Sequence, residues 1–309
     1  MHLKFDRRVF VRCIRIVTLL LFGVVSLYGI HLLFQGNWRE VGAYWLDRRH
    51  LLALGFALSA ADILTDSLIW MLILRQLGIS VPPAKGVLLF LSGYAGLLMP
   101  VQLGRFFRAS ELASQGHADL RTAIKAELIL LCFAAIAAIA TFSAAFLYQW
   151  SVFLVVLAPA LIIVAALFAA DLLFQSLPQL SQRFSLQLPL HFWRQPAVIG
   201  LTFLTATGWL LNGAILYLIF GELSEMLSLH HTIMIVTSNL FIGVGTGLPG
   251  GLGISESYIG AMMYWLRTPP EHLVVAVAAF RLVTFWIWIP IGWCALLLIG
   301  VLFRAGKSS

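Results

Sequence analysis

A chain of 309 residues that is 61% hydrophobic and only 11% charged has too little polar side chain to cover a water-soluble surface, whereas a bilayer asks for an apolar exterior. The net charge of +7 sits in short basic clusters at the ends of apolar runs, where topology and anionic headgroups account for it, so nucleic acid is not the partner. Cys13, Cys132 and Cys294 are odd in number, far apart and inside apolar runs, which excludes a disulfide framework or a metal knuckle and leaves them as packing residues.

The composition therefore describes an all-α polytopic membrane protein, a single membrane domain over 1–309. Its apolar runs fall at 14–34, 51–77, 84–99, 121–148, 150–174, 197–221, 230–248 and 273–303. The first follows Lys4, Arg7, Arg8, Arg12 and Arg15 and has no Ala-x-Ala-like exit, so it reads as a retained span and not a cleaved signal peptide. Next comes the charged connector 36–50, where Trp38, Val41, Tyr44, Trp45 and Leu46 alternate helically with Arg39, Asp47, Arg48 and Arg49. That pattern suits a helix lying in the membrane interface. A second connector, 175–196, carries Phe184, Leu188, His191, Phe192 and Trp193 around Pro189, and interfacial anchoring is the expected role of both.

Two runs are short, and each ends in a break. The first reads Gly93-Tyr-Ala-Gly96-Leu-Leu-Met-Pro100-Val-Gln-Leu-Gly104-Arg105-Phe-Phe-Arg108, and the second Gly243-Val-Gly-Thr-Gly-Leu-Pro249-Gly250-Gly251-Leu-Gly253-Ile-Ser-Glu256. Glycine costs a helix interior roughly 1 kcal/mol and proline roughly 3, so no helix passes intact through the second. Both breaks read Gly-x-x-x-Pro-x-x-Leu-Gly. Irregular backbone at membrane depth is tolerated only where protein or a water-filled cavity covers it.

Loop charge decides how these runs are threaded, because Lys and Arg accumulate on the cytoplasmic side. Eight crossings place nine basic residues inside and ten outside, against the rule. Folding the two broken runs back as re-entrant hairpins places fifteen inside and leaves four outside, Arg39, Arg48, Arg49 and Arg267. The expectation is six transmembrane helices plus two hairpins from opposite faces, with both termini cytoplasmic; eight transmembrane helices is the alternative. Each half then reads span, connector, span, hairpin, span, and Pro100 and Pro249 lie 149 residues apart. Residues 1–149 and 150–309 thus form an inverted-topology repeat, whose binding site is expected near the midplane where the broken helices meet.

Charge within hydrocarbon costs at least about 2.5–3.5 kcal/mol at a helix centre and marks function. Arg105 and Arg108 follow the first break and Glu256 the second, so the tips of two facing hairpins carry opposite signs that neutralise each other or a zwitterionic headgroup. Arg281 sits in an apolar run with no acid near it in sequence and needs Glu256, another acid, a carbonyl or a phosphate, which its planar fork suits. Asp62 and Asp66, one turn apart on one helix face, permit a proton relay or hydrogen bonds to Thr65 and neighbouring helices. Glu127 is read at an interfacial helix end, His230 and His231 at headgroup level, and Trp286, Trp288 and Trp293 as interfacial or packing aromatics.

No enzyme constellation stands out. Gly245-Thr-Gly247-Leu-Pro-Gly250 matches a nucleotide fingerprint but lacks the βαβ unit it needs. Ser255 and Ser257 are not in a Gly-x-Ser-x-Gly elbow, and His-Glu-x-x-His and Cys-x-x-Cys do not occur. No cofactor, no metal and no catalytic residue is expected.

Leu248-Pro-Gly-Gly-Leu-Gly253-Ile-Ser-Glu256, followed by Phe280-Arg281-Leu-Val-Thr-Phe-Trp286, resembles the membrane region of lysylphosphatidylglycerol synthases, which also occurs as a stand-alone family of flippase-like proteins. Pro100, Gly104, Arg105 and Arg108 resemble that family's first motif, with Arg105 where the family usually has glutamate and Leu128 where an arginine often follows Glu127. The resemblance implies lipid handling: the region is associated with moving aminoacylated phospholipids, and relatives with hopanoid or glycolipid export. The aminoacyl-transfer domain is not seen, so lysyl transfer is not expected. The reading is a flippase-like protein of the bacterial cytoplasmic (inner) membrane that translocates or handles a phospholipid or polyprenyl- or hopanoid-type lipid without ATP hydrolysis, with a lipid-synthesising enzyme as a further partner. Pro100, Gly104, Arg105, Arg108, Pro249, Gly250, Gly251, Gly253, Glu256 and Arg281 are its expected substrate contacts, with backbone N–H groups after Gly253 offered to a phosphate. The alternative is a membrane-embedded lipid-modifying enzyme or an accessory subunit of a lipid glycosyltransferase.

Overall fold

The computed structural model describes residues 38–97, 104–176, 188–189, 191–245 and 251–304, and all regular structure among them is helical. In chain order the helices are α1 (Trp38–Asp47), α2 (Arg49–Gln76), α3 (Pro83–Ser92), α4 (Arg105–Ser114), α5 (Leu120–Leu147), α6 (Val152–Ser176), α7 (Pro196–Phe220), α8 (Leu229–Gly245), α9 (Ile254–Trp265), α10 (Pro270–Arg281) and α11 (Trp288–Arg304). Gly93–Gly96 continues α3 as a tighter 3-10 turn, Phe192–Arg194 forms another, and Leu282–Trp286 joins α10 to α11 as a π segment.

Among the described residues, five segments are long and apolar enough to cross a bilayer: Arg49–Gln76, Leu120–Leu147, Val152–Leu173, Pro196–Phe220 and His272–Leu302. At 1.5 Å per residue, a 28-residue helix such as α2 is about 42 Å long, ample for a hydrocarbon core of about 30 Å. These are five of the six expected spans, and the chain is a multi-pass membrane protein. The sixth, at 14–34, lies outside the described residues. The two broken runs make short helices: α3 has 10 residues and α4 has 10, while α8 has 17 and α9 has 12.

Local sequence sets the ends. Proline occupies the first turn of α3, α7 and α10, where its missing N–H costs nothing. Asp119 caps α5 by accepting from the Thr122 N–H at 3.1 Å. Helices α2, α4 and α9 end alike: the residues at 78, 116 and 267 take positive φ, and paired backbone bonds, such as Gly78 N–H to Arg75 O and Ile79 N–H to Leu74 O, close the last turn. Glycine fills two of these positions and Arg267 the third.

The long helices α2 and α7 pack side by side and run antiparallel. Arg48, just before α2, donates from Nε to Glu222, just after α7, at 3.0 Å, and midway Asn212 Nδ2 donates to Asp62 Oδ2 at 2.8 Å. Helix α3 lies on α11, close enough that a Cβ at Gly292 would come within 2.8 Å of the Tyr94 carbonyl carbon. Helix α8 lies on α5 and α7. Among the described residues two large cores result, one around Trp70, Phe90 and Phe133 and one around Ile215, Phe220 and Phe280, with a smaller one at Phe285 and Ile289.

The connectors depart from expectation. Helix α1 forms where the alternation predicts it, but Trp45 is buried in the second core. Phe192 and Trp193 are buried in the first, Trp193 edge-on to Phe133. Apolar surface was available inside the bundle as well as in lipid, and composition does not distinguish the two. Phe184 lies outside the described residues.

Candidate functional site

The first break closes on two glycines. A Cβ on Gly96 would lie 2.5 Å from the Gly104 Cα, and Gly104 meets the Gly96 carbonyl in return, so the backbones cross with no room for a side chain between them. Gly104 is therefore a packing contact. Pro100 lies outside the described residues, as do Pro249 and Gly250. Arg105 opens α4, and its side chain lies outside the described part of the chain.

Arg108, one turn into α4, turns inward. Its Nε donates to Glu127 of α5 at 2.6 and 2.8 Å, and the indole N–H of Trp70 in α2 donates to the same carboxylate at 2.9 Å. The guanidinium stands 4.2 Å from the centre of the Phe90 ring. The two side chains keep 4% and 2% of their surface, so the pair is sealed in protein. Glu127, near the start of α5, is thus sealed in protein at the centre of a three-helix lock.

At the second break, Gly251 and Gly253 take φ of +66° and +80°, a region open to glycine and strained for residues with a Cβ. Gly251 is also crowded: a Cβ there would lie 2.6 Å from Ser255 Oγ and 3.3 Å from the Gly243 Cα. Ser238 Oγ and Tyr258 OH, 2.6 Å apart, tie α8 to α9. Glu256 sits in the first turn of α9. One oxygen accepts from the Gly253 N–H at 2.7 Å and the other from Arg281 Nε at 2.6 Å. Glu256 thus reaches back to the amide just ahead of the N–H groups expected to meet a phosphate. Arg281 stands 4.1 Å from the centre of the Phe285 ring, the counterpart of Arg108 on Phe90.

Each arginine is therefore paired within its own part of the fold, Arg108 to Glu127 and Arg281 to Glu256. The expected neutralisation of Arg108 by Glu256 is not made, because each charge has a nearer partner. The two breaks instead share an apolar neighbourhood. Leu97, at the end of the first 3-10 turn, and Leu252, beside the second break, pack on one small core of Phe285 and Ile289, as do Trp286 and Trp293.

The π segment beneath that cluster has a traceable cause. Ile287 N–H reaches back five residues to Leu282 O at 3.1 Å, and the Trp288 indole N–H takes the Val283 carbonyl at 3.0 Å while also donating to Ser59 at 2.9 Å. Such bulges recur at functional sites.

A family model for the lysylphosphatidylglycerol synthase TM region matches residues 15–292. The chain belongs to that family. No curated protein matches it. The span matched to the synthase family contains both breaks and both ion pairs, together with Asp62, Asp66 and the π segment.

Sequence reasoning missed a further charge cluster. Asp171, buried near the end of α6, lies 2.6 Å from Arg194 Nε and 3.3 Å from His191 Nδ1. A lone acid inside an apolar run was the available signal. Asp62 and Asp66 share the α2 face as expected, with Asp62 held by Asn212, while Thr65 bonds its own helix at Ala61 O. Among the described residues no three His, Cys, Asp or Glu side chains converge to hold a metal ion.

Proposed function

We propose that this protein moves an amphipathic lipid, a phospholipid or a polyprenyl- or hopanoid-type lipid, across the bacterial cytoplasmic membrane without ATP hydrolysis, and that the lipid headgroup passes between two re-entrant hairpins. One hairpin is α3–α4 and the other α8–α9, inserted from opposite faces, with both termini cytoplasmic. Several contacts support this reading. Ser224, before α8, donates to the Leu266 carbonyl, after α9, at 2.5 Å, so the segment leaves from the end at which it began. Shifting α2, α3, α4 and α5 by 149 residues overlays them on α7, α8, α9 and the α10–α11 span, and α2 runs antiparallel to α7 as inverted halves require.

The observation that carries the proposal is the common seat of Leu97 and Leu252 on the Phe285 cluster. Two interrupted helices that end on one spot, with Arg281 and Glu256 beside it, are the arrangement in which transporters of inverted repeats place a substrate. The family's membrane region supports a lipid as that substrate. The test uses purified protein in liposomes with headgroup-labelled lipids. Movement of label between leaflets without chemical change is the expected result; conversion of the lipid would assign the protein to lipid-modifying enzymes instead.

A further inference from the structure

The two arginine–glutamate pairs are built from the same parts but differ in how they could come apart. Arg108 and Glu127 keep 4% and 2% of their side-chain surface, and Trp70 holds the carboxylate from a third helix. Separating them would strand a charge in protein, which is strongly unfavourable. Glu256 keeps 28% of its surface against 9% for Arg281. If Glu256 lets go, its other oxygen retains the Gly253 N–H and the favourable end of the α9 dipole. Arg281 is the more deeply buried partner, and withdrawing the anion from a buried guanidinium is costly. The pair therefore opens as an exchange, when another anion arrives at the guanidinium.

We infer that Arg281 is the phosphate contact of this site and that Glu256 is its exchangeable counterion, swinging aside as the phosphate of a lipid headgroup takes its place. The inference rests on the lipid-handling reading above. A phosphate offers the guanidinium fork the same pair of oxygens as a carboxylate, and Phe285 under the guanidinium keeps it in place during the exchange. The glycines with positive φ just before Glu256 supply a backbone that turns without strain. The residues packed on Phe285, the ring at which Arg281 stands, are apolar, Leu97, Leu252, Trp286 and Trp293, so the phosphate the site suits is one that carries acyl chains.

The experiment measures binding of fluorescent phosphatidylglycerol and of diacylglycerol with the same labelled chains to the purified full chain in detergent, with sodium phosphate as competitor. Glu256→Gln keeps the shape and the Gly253 acceptor but loosens the grip on Arg281, and should tighten phosphatidylglycerol binding about tenfold, the worth of a charge-assisted bond over a neutral one. Arg281→Gln should weaken it by at least about as much, and Arg281→Lys, which keeps the charge without the fork, should recover only part. Diacylglycerol should respond to none of these changes. Unchanged or weaker phosphatidylglycerol binding in Glu256→Gln with a wild-type melting temperature would overturn the inference, as would an equal response from diacylglycerol. Sodium phosphate that binds through Arg281 while phosphatidylglycerol ignores that residue would make it a free-anion site and also overturn it. Lipid movement in liposomes made from the same preparations separates the two readings. Movement that survives Arg281→Gln removes the phosphate contact and leaves the translocator; absence of movement with the binding pattern intact removes the translocator and leaves the exchange.

Discussion

Arg108 and Glu127, 19 residues apart on α4 and α5, meet at 2.6 Å with almost no surface left to solvent or lipid. The pair ties the helix after the first break to the neighbouring span, and Trp70 extends the tie to α2. Its removal should act on stability. Glu127→Gln should cost about 3–5 kcal/mol, read as a lower melting temperature and folded yield in detergent. Replacing both partners together, Arg108→Met with Glu127→Leu, should recover much of that loss because no charge is stranded. A double variant no more stable than the single one would assign the pair a role other than locking.

Glycines at the second break should be far less replaceable than those in plain spans. Gly251→Ala meets both a positive φ and the Ser255 hydroxyl, and the left-handed backbone alone costs about 1–2 kcal/mol for a residue with a Cβ. A Cβ at Gly300 in α11 would meet no atom within 4 Å, so Gly300→Ala should be neutral or stabilise by up to about 1 kcal/mol. Folded yield and lipid movement, measured on both variants, check this. Equal tolerance would make the break an ordinary loop.

Asp119 gives a pH signature outside the membrane-spanning helices. Its carboxylate accepts from Thr122 in the first turn of α5, and this holds its pKa below the ordinary value. A carboxyl depressed on folding contributes stability above its unfolded pKa of about 3.9, and that contribution is lost as pH falls through the lower folded value. Asp119→Ala should cost about 1 kcal/mol at neutral pH, with the difference from wild type shrinking below about pH 4. Melting temperatures of both proteins, compared at about pH 7 and about pH 3, would show it; a gap that widens in acid would contradict the cap.

Much of this fold was legible in the sequence because its signals are local. Apolar runs of span length, prolines at helix starts and glycine–proline breaks mark α2, α5, α6, α7 and the α10–α11 span where they occur. Pairing was less legible. Arg281 named Glu256 among its possible partners because both stand out as charges in apolar sequence, whereas Glu127 opens a helix and looked interfacial until α2 and α4 were folded against it. Trp45 and Trp193 misled for the same reason, since an aromatic beside charges fits a headgroup layer as well as a core.

Threading is tested by chemical labelling in a background with Cys13, Cys132 and Cys294 replaced. Ser114→Cys, at the end of α4, should react only once the inner face is opened, and Glu225→Cys, between α7 and α8, should react from outside in intact cells. Both positions are exposed. Labelling of position 114 from outside would restore eight crossings.

The central claim is that the two hairpin tips meet where the lipid passes. Leu97→Cys combined with Leu252→Cys places a thiol on each tip at the Phe285 cluster, and a short cleavable bis-maleimide should join them in the purified, lipid-reconstituted protein. The account predicts that the joined protein stops moving headgroup-labelled lipid and resumes when the linker is cleaved. Failure of the tips to join, or undiminished movement with the tips joined, would contradict it.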